Sequence, residues 1–462
     1  LLPGYSGMGP HDSRQRLGLD VSDPGMWCGY KRPAFLLPTD KRFTEIATLY
    51  YKEQQRLYGK ARFYSMDPFH EGGSVEGVDL RAAGEAIMRE MKRVNPEAVW
   101  VVQAWQACPH PEMIRHLRNG DMLVLDLFSE SRPQWGDPES TWYRKNGFDG
   151  HDWAFCMLLN YGGNVGLFGK LQHVVDEFYK ARSSRFAPTM RGVGLTMEGI
   201  ENNPVMYELV CELPWSTADG NHIVWRDWLS RYVQTRYGNV TNPKVSEAWL
   251  LLARSSCPAD NVSQGCRESV FCARPSLDAK WVSSWAETVD YYEPDSVIRA
   301  AKLMVEAAAD MPANANFRYD LVDITRQAVA ERARLVYNEI VAAYKAHDRK
   351  MFRHATQRFL RLLLQQDRLL SSVPDFMVGR WIKQARSIAT NAAEADHYEW
   401  NARTQITVWG NRQAAEQGGL REYAHKEWSG VLRDFYYPRW RMYFDALDET
   451  FDGQPMPEVA FY

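Results

Sequence analysis

Phe63-Tyr-Ser-Met-Asp-Pro-Phe-His-Glu-Gly-Gly73 is the stretch on which the fold turns. Its aromatic start reads as a buried strand. Its end supplies Asp67, Pro68, His70, Glu71 and two glycines. Proline stops the hydrogen-bond ladder, and glycine lets backbone approach a ligand. A strand that empties into an acid in this way looks like the mouth of an α/β barrel, where strand C-termini carry the chemistry. Alone the pattern is weak, because a glutamate in a strand-to-loop turn more often caps the next helix or sits in solvent. It needs a partner carboxylate.

Upstream, residues 1–40 are loop-rich, and Leu2–Pro10 looks like the exit of a strand. Residues 41–59 carry Phe43, Ile46, Leu49, Tyr50 and Leu57 at helical spacing and end at Gly59, a good C-cap. Downstream, Asp79–Val94 predicts a helix, Ala98–Trp105 a strand, Met113–Leu117 a brief helix and Met122–Phe128 a strand ending at Ser129-Glu130. Trp153–Asn160 predicts a strand that discharges into Tyr161-Gly-Gly-Asn164, followed by a helix over Gly166–Arg182. Arg191–Met197 is a last short strand ending at Glu198-Gly199. Alternating strand and helix periods imply a parallel sheet with right-handed crossovers. The count is five strands plus the stub at Leu2. An eight-stranded closed barrel needs more, so either the missing strands are expected upstream of Leu1 or the fold is an open sheet.

After Pro204 the period changes. Trp225–Tyr237, Pro243–Arg254, Pro294–Met311, Phe317–His347, Arg349–Val373, Val378–Trp400 and Leu420–Phe451 all read as helices. The fold class expected is therefore α/β plus all-α: the C-terminal part of a (β/α)8 TIM-type barrel, then an all-helical domain. The seam falls near 205–240. The division expected is a catalytic barrel over 1–215 and a helical domain over 216–462 that contributes to the active-site rim. No internal repeat or low-complexity tract is present.

The 462 residues are too many for one core. Apolar content is 45% and charged content 24%, ordinary for a globular protein. A net charge of −3 gives no electrostatic case for nucleic acid or an anionic membrane. No uninterrupted apolar run is long enough to span a bilayer. The load of 17 Trp and 23 Tyr suits flat sugar faces, although aromatics more often fill cores. The first residue is Leu and no signal segment follows, so a fragment or processed product is expected. Seven cysteines lack metal spacing, and Cys257 and Cys266 are close enough in sequence for a loop disulfide. Asn239-Val-Thr and Asn261-Val-Ser would be glycosylation acceptors only in a secreted eukaryotic protein. The 11 His residues show no HExxH or clustered ligand spacing, so no metal or other cofactor is expected.

The partner carboxylate is Glu198, in Gly194-Leu-Thr-Met-Glu-Gly199. Like Glu71, it follows a strand of barrel type. Two carboxylates across one pocket can break a glycosidic bond, one donating a proton to the leaving oxygen and the other attacking the anomeric carbon.

Several motifs resemble glycoside hydrolase family 89, the α-N-acetylglucosaminidases. They are Asp67-Pro-Phe-His-Glu71, Leu123-Val-Leu-Asp-Leu-Phe-Ser-Glu130, the run Trp153–Gly169 and Gly194–Asn203, together with Phe317–Ala328, Glu394-Ala-Asp-His-Tyr-Glu399, Thr407-Val-Trp-Gly410 and Tyr437-Pro-Arg-Trp440. The resemblance covers nearly the whole chain. It implies a retaining exo-glycosidase that removes terminal α-linked N-acetylglucosamine from glycans such as heparan sulfate or mucin-type chains. By motif, Glu71 matches the family's acid/base and Glu198 its nucleophile. Trp27, Trp105, Leu127, Leu158 and Tyr161 match its sugar pocket from the barrel, as do Trp409 and Tyr423 from the helical domain. Leu127 and Leu158 would equally pass as core, and Trp409 and Tyr423 as interdomain packing. His70 departs from members that carry Asn before the acid. It would tune Glu71, bond the substrate or act as a spacer. Asp67 and Asp126 are read as ordering the mouth.

The family's small α/β domain and first barrel strands precede the point where this chain begins, so the isolated chain is not expected to be stable or active. A periplasmic or secreted bacterial enzyme is favoured over a lysosomal one, acting on a glycan, with a homo-oligomer left open. The rivals are an inactive carbohydrate-binding protein of the same fold and a β-hexosaminidase. The latter would need an Asp-Glu pair ending a barrel strand, which is not found.

Overall fold

The structure is a computed structural model. It describes every residue except 72, 160, 164–165, 200–202, 217–221, 258–264, 281, 284–290, 312, 417–418, 458 and 460–462. Asn261 of the second glycosylation motif, Gly72, Asn160, Asn164 and the 200–202 end of the Glu198 motif thus lie outside the described residues. Asn239 is exposed in a turn, with φ 62°.

In chain order the strands are β1 (Leu2–Pro3), β2 (Met8–Gly9), β3 (Met26–Trp27), β4 (Tyr30–Lys31), β5 (Ala34–Phe35), β6 (Phe63–Ser65), β7 (Val99–Ala104), β8 (Met122–Asp126), β9 (Asp152–Met157) and β10 (Met190–Leu195). One six-stranded sheet runs β1-β6-β7-β8-β9-β10, parallel throughout. These are the five strands and the stub read from the sequence. The first forty residues are not merely loop. They hold two antiparallel pairs, β2–β5 and β3–β4, too short to leave a period in the sequence.

The strands form where β-branched and aromatic residues are buried on both faces. Val99, Trp100, Val101 and Val102 of β7 and Trp153–Met157 of β9 are nearly all solvent-inaccessible. Helix Lys41–Tyr58 starts where the Asp40 carboxylate accepts from the Arg42 N–H at 2.9 Å, and it ends at Gly59. Helix Leu80–Val94 is capped by Asp79 in the same way and buries Ala83, Ile87 and Met91.

The chain forms two compact units. One comprises Leu1–Leu158, Val174–Thr196 and Val210–Trp215. The other comprises Leu159–His173, Met197–Leu209 and Ser216–Tyr462. The second unit is helical. Its core joins helices Ala315–Lys345, Arg349–Leu370 and Tyr437–Thr450 with the turn Val270–Cys272, around Val336, Phe359, Leu363 and Trp440. The loop after β9 is held within this unit. Leu167 N–H donates to Gln327 Oε1 at 3.2 Å, and Phe168 N–H donates to Asn203 Oδ1 at 3.1 Å.

Four expectations need correction. The helix predicted over Gly166–Arg182 starts only at Leu171. Helix 378–400 is broken: Val378–Ser387 and Ala392–Gln405 are separate, because the Asn391 side chain caps the Glu394 N–H and starts a new helix. Leu420–Phe451 is helical only from Leu432. Its first residues use buried carboxylates as anchors, Glu422 to Arg439 at 3.0 Å and Glu427 to Arg326 at 3.1 Å, and Glu422 takes a left-handed φ of 46°. Such anchoring defeats a helical register. Cys257 and Cys266 are not joined. Both are free and buried, Cys257 against Gly169 and Cys266 against Gly166. Among the described residues no helix is long and apolar enough to cross a membrane, and no cluster of ligating side chains could hold a metal.

Candidate active site

Glu71 belongs to the first unit. It lies beyond β6 in a turn with two non-glycine residues in left-handed backbone, Phe69 at φ 60° and Glu71 itself at 37°. Gly73 closes the turn on Phe69 so tightly that a Cβ would meet the Phe69 backbone at 3.0 Å. Strain of this kind persists only where the surroundings over-determine it. Here Arg32 donates to the His70 carbonyl, which also accepts from Gly73 N–H at 3.3 Å. Burial pushes the Cys28 thiol up, and the Glu71 carboxylate adds to the effect. Burial lowers Arg32, opposed by Glu71. These couplings put Glu71 among Cys28, Arg32 and Cys108. His70 is held down to about 4 by burial, aided by Arg32 and His110, so it is neutral near pH 7. Its Nε2 is buried with no hydrogen-bond partner. Asp67 accepts from Gln103 N–H at 2.7 Å and from its side-chain amide at 2.9 Å, tying the turn to β7, and burial raises it to about 6.

Further around the same sheet, Trp105 packs edge-on to Trp142, with centroids 4.7 Å apart, and lies 6.0 Å from Phe128. Trp27, in β3, is 36% exposed. Leu127 is half-buried, and its carbonyl accepts from Thr196 Oγ1 at 2.8 Å. Leu158 is buried, its N–H donating to Glu130 at 3.2 Å. Asp126 is wholly buried and takes the Gln134 and Trp135 N–H groups at 2.8 and 2.9 Å on one oxygen, and burial raises it to about 7. It orders the loop after β8.

Glu198 belongs to the second unit and is exposed. Its Oε2 accepts from Gly162 N–H at 2.7 Å and from the Tyr423 hydroxyl at 2.5 Å. Tyr423 lies against Trp409, centroids 5.3 Å apart at 61°. Tyr161 is half-buried in the turn beside Gly162. Gly162 has φ +63°, and a Cβ there would lie 2.1 Å from the Tyr423 carbonyl, so only glycine fits. Glu198, Tyr161, Trp409 and Tyr423 are thus gathered in one unit, while Trp27, His70, Glu71, Trp105, Leu127 and Leu158 lie in the other. The sequence reading did not single out Arg32, Cys28, His110 or the obligate Gly162. The Gly-Gly pair after β9 was the available signal for the last.

A parallel sheet with carboxylates in the loops after its strands, and a largely helical second unit, is the architecture of an α/β-barrel segment joined to a helical domain. A family model described as the α-N-acetylglucosaminidase tim-barrel domain matches residues 1–217, and one for its C-terminal domain matches 228–461. The human α-N-acetylglucosaminidase is 34% identical over 483 aligned residues, covering 100% of this chain and 62% of that protein. Two structures of a family 89 glycoside hydrolase from Clostridium perfringens, one with PUGNAc and one a double Glu-to-Gln form with its substrate GlcNAc-α-1,4-galactose, superpose with TM-score 0.91. Both are 32% identical and cover 100% of this chain and 52% of theirs. The chain belongs to glycoside hydrolase family 89, the α-N-acetylglucosaminidase family. It spans about half to two thirds of the length of these relatives.

Proposed function

We propose that this chain carries the catalytic residues of a retaining exo-glycosidase that removes terminal α-linked N-acetylglucosamine, with Glu198 as nucleophile and Glu71 as acid/base. The observation that carries the reading is the pair of donors on Glu198 Oε2. They fix the carboxylate's position. Family membership supports the substrate class.

In the first step a Glu198 oxygen bonds to C1 while the C1–O bond to the leaving sugar breaks, and Glu71 gives its proton to that departing oxygen. Glu71, now a carboxylate, then takes a proton from water as the water oxygen attacks C1, and Glu198 leaves as a carboxylate. In the α-anomer the 2-acetamido group is cis to the leaving group and cannot reach the back face of C1, so the protein must supply the nucleophile. His70 stays neutral. By the family motif, Trp27, Trp105, Leu127 and Leu158 of the first unit and Tyr161 and Trp409 of the second are the residues offered for sugar binding.

Hydrolysis of an aryl α-N-acetylglucosaminide by the full-length natural protein that contains this sequence tests the reading. Turnover that survives Glu198→Gln, or a preference for the β-linked substrate, would rule it out. A binding protein without catalysis would show no turnover before or after the substitution.

A further inference from the structure

The groups around Glu71 that could bear charge are in different states. Burial pushes the Cys28 and Cys108 thiols up and the His70 and His110 rings down, so all four are neutral near pH 7. Asp67 is bound to Gln103 and titrates near 6. Arg144 is committed to Gln134 at 2.7 Å and to the Pro109 and Cys108 carbonyls at 2.8 Å, and its charge acts on Cys108 and His110. Arg32 is different. It follows β4, in the short ribbon that also carries Trp27, and is half-buried. Among the described residues it makes no ion pair. Its guanidinium donates to the His70 carbonyl, one residue before Glu71, and its charge is coupled to Glu71.

Closing the turn does not call for a guanidinium. The His70 carbonyl already accepts from Gly73 N–H at 3.3 Å. The Cys108 thiol, a neutral donor, reaches the Phe69 carbonyl at 3.5 Å. What Arg32 adds that neither supplies is charge. A cation beside a carboxyl group favours its ionised form, and so makes the protonated form a better donor. An acid that must protonate an unactivated sugar oxygen gains from that. Resting on the reading above, we infer that Arg32 is a positioning residue for Glu71, whose charge strengthens it as the proton donor to the leaving oxygen.

The test measures kcat/KM against pH for the full-length natural protein that contains this sequence. One substrate is N-acetylglucosamine α-linked to galactose; the other is an aryl glycoside with an acidic phenol as leaving group. Both values report the steps up to departure of the leaving group, and only the disaccharide needs the proton. Arg32→Gln should lower the disaccharide value about threefold to tenfold on its acid plateau and leave the aryl value within about twofold. The alkaline limb, identified as the one that Glu71→Gln abolishes, should move up by about half a pH unit or more, because the carboxyl then keeps its proton to higher pH. Arg32→Lys keeps the charge and should hold the limb near its parent position. Cys108→Ala frees the Phe69 carbonyl without touching a charge and should not move the limb. A limb unmoved in Arg32→Gln, a limb moved as far by Arg32→Lys or Cys108→Ala, or equal losses on the two substrates would each overturn the inference. The function reading fails separately, if Glu71→Gln keeps the parent's rate and limb on the disaccharide.

Discussion

The loops carrying Glu71 and Glu198 hold their carboxylates by opposite means. Glu71 is set chiefly by a tight turn of its own, left-handed at residues 69 and 71 and closed by Gly73, which Arg32 and Gln103 brace from outside. Glu198 is exposed. It is held by side-chain and backbone donors remote in sequence, Gly162 and Tyr423. Tyr423 is itself steadied by the buried ion pairs of Glu422 and Glu427 on either side. One acid therefore depends on a local motif, the other on the assembly of three segments. The difference fits the division of labour proposed. A nucleophile must keep one attack line, whereas an acid/base must serve first the leaving oxygen and then water.

The largest effects should come from the acids themselves. Glu198→Gln should lower kcat by at least about 10³-fold. Glu71→Gln should cost about 10²–10⁴-fold on a disaccharide, and far less on an aryl substrate whose leaving group needs no proton. Equal losses on both substrates would remove Glu71 from the acid role.

Next is Gly162→Ala. Its methyl group would strike the Tyr423 carbonyl and force a positive φ on alanine, so kcat should fall about 10²-fold and stability by about 1–3 kcal/mol. A variant with normal turnover would show that Glu198 does not need this anchor. Tyr423→Phe removes a single donor and should cost about tenfold in kcat with little change in thermal stability. A change confined to KM would instead make Tyr423 a binding residue.

The smallest effect concerns support behind the site. Burial raises Asp126 to about 7 from 3.8, so its contribution to stability is fully present below 3.8 and is lost as pH rises through about 7. Asp126→Asn can still accept both N–H groups through its carbonyl. Its melting temperature should vary less between pH 4 and 8 than that of the unsubstituted chain, and should gain on it at the alkaline end. Asp126→Ala leaves two buried donors unpaired, at about 1–3 kcal/mol each. Parallel pH profiles for the Asn variant and the parent would contradict the buried-acid assignment.

Much of the sheet was legible because β7, β8 and β9 are continuous apolar runs bounded by turn residues, and each fell where the period predicts. The acid-bearing turns were legible too, since a strand followed by Glu and glycine is a local pattern. What escaped was non-local. The segment Leu420–Ser429 has a helical period, but Glu422 and Glu427 are drawn to Arg439 and Arg326, and no local propensity reports a buried anchor. The Cys257–Cys266 pairing failed for the same reason, since closeness in sequence says nothing of which packing each thiol enters. The β2–β5 and β3–β4 pairs, two residues per strand, are too brief for any period to register. Gly162 was visible as half of a Gly-Gly pair, but its purpose lies in a tyrosine carbonyl far along the chain.

The most direct test supplies azide to the Glu198→Ala and Glu71→Ala chains with an activated aryl α-N-acetylglucosaminide and reads the product by NMR. With the nucleophile gone, azide should occupy its face of C1 and give the β-glycosyl azide. With the acid/base gone, the Glu198 ester still forms, and azide should open it to the α-glycosyl azide. The same anomer from both variants, or the two anomers exchanged, would contradict the assignment of Glu198 as nucleophile.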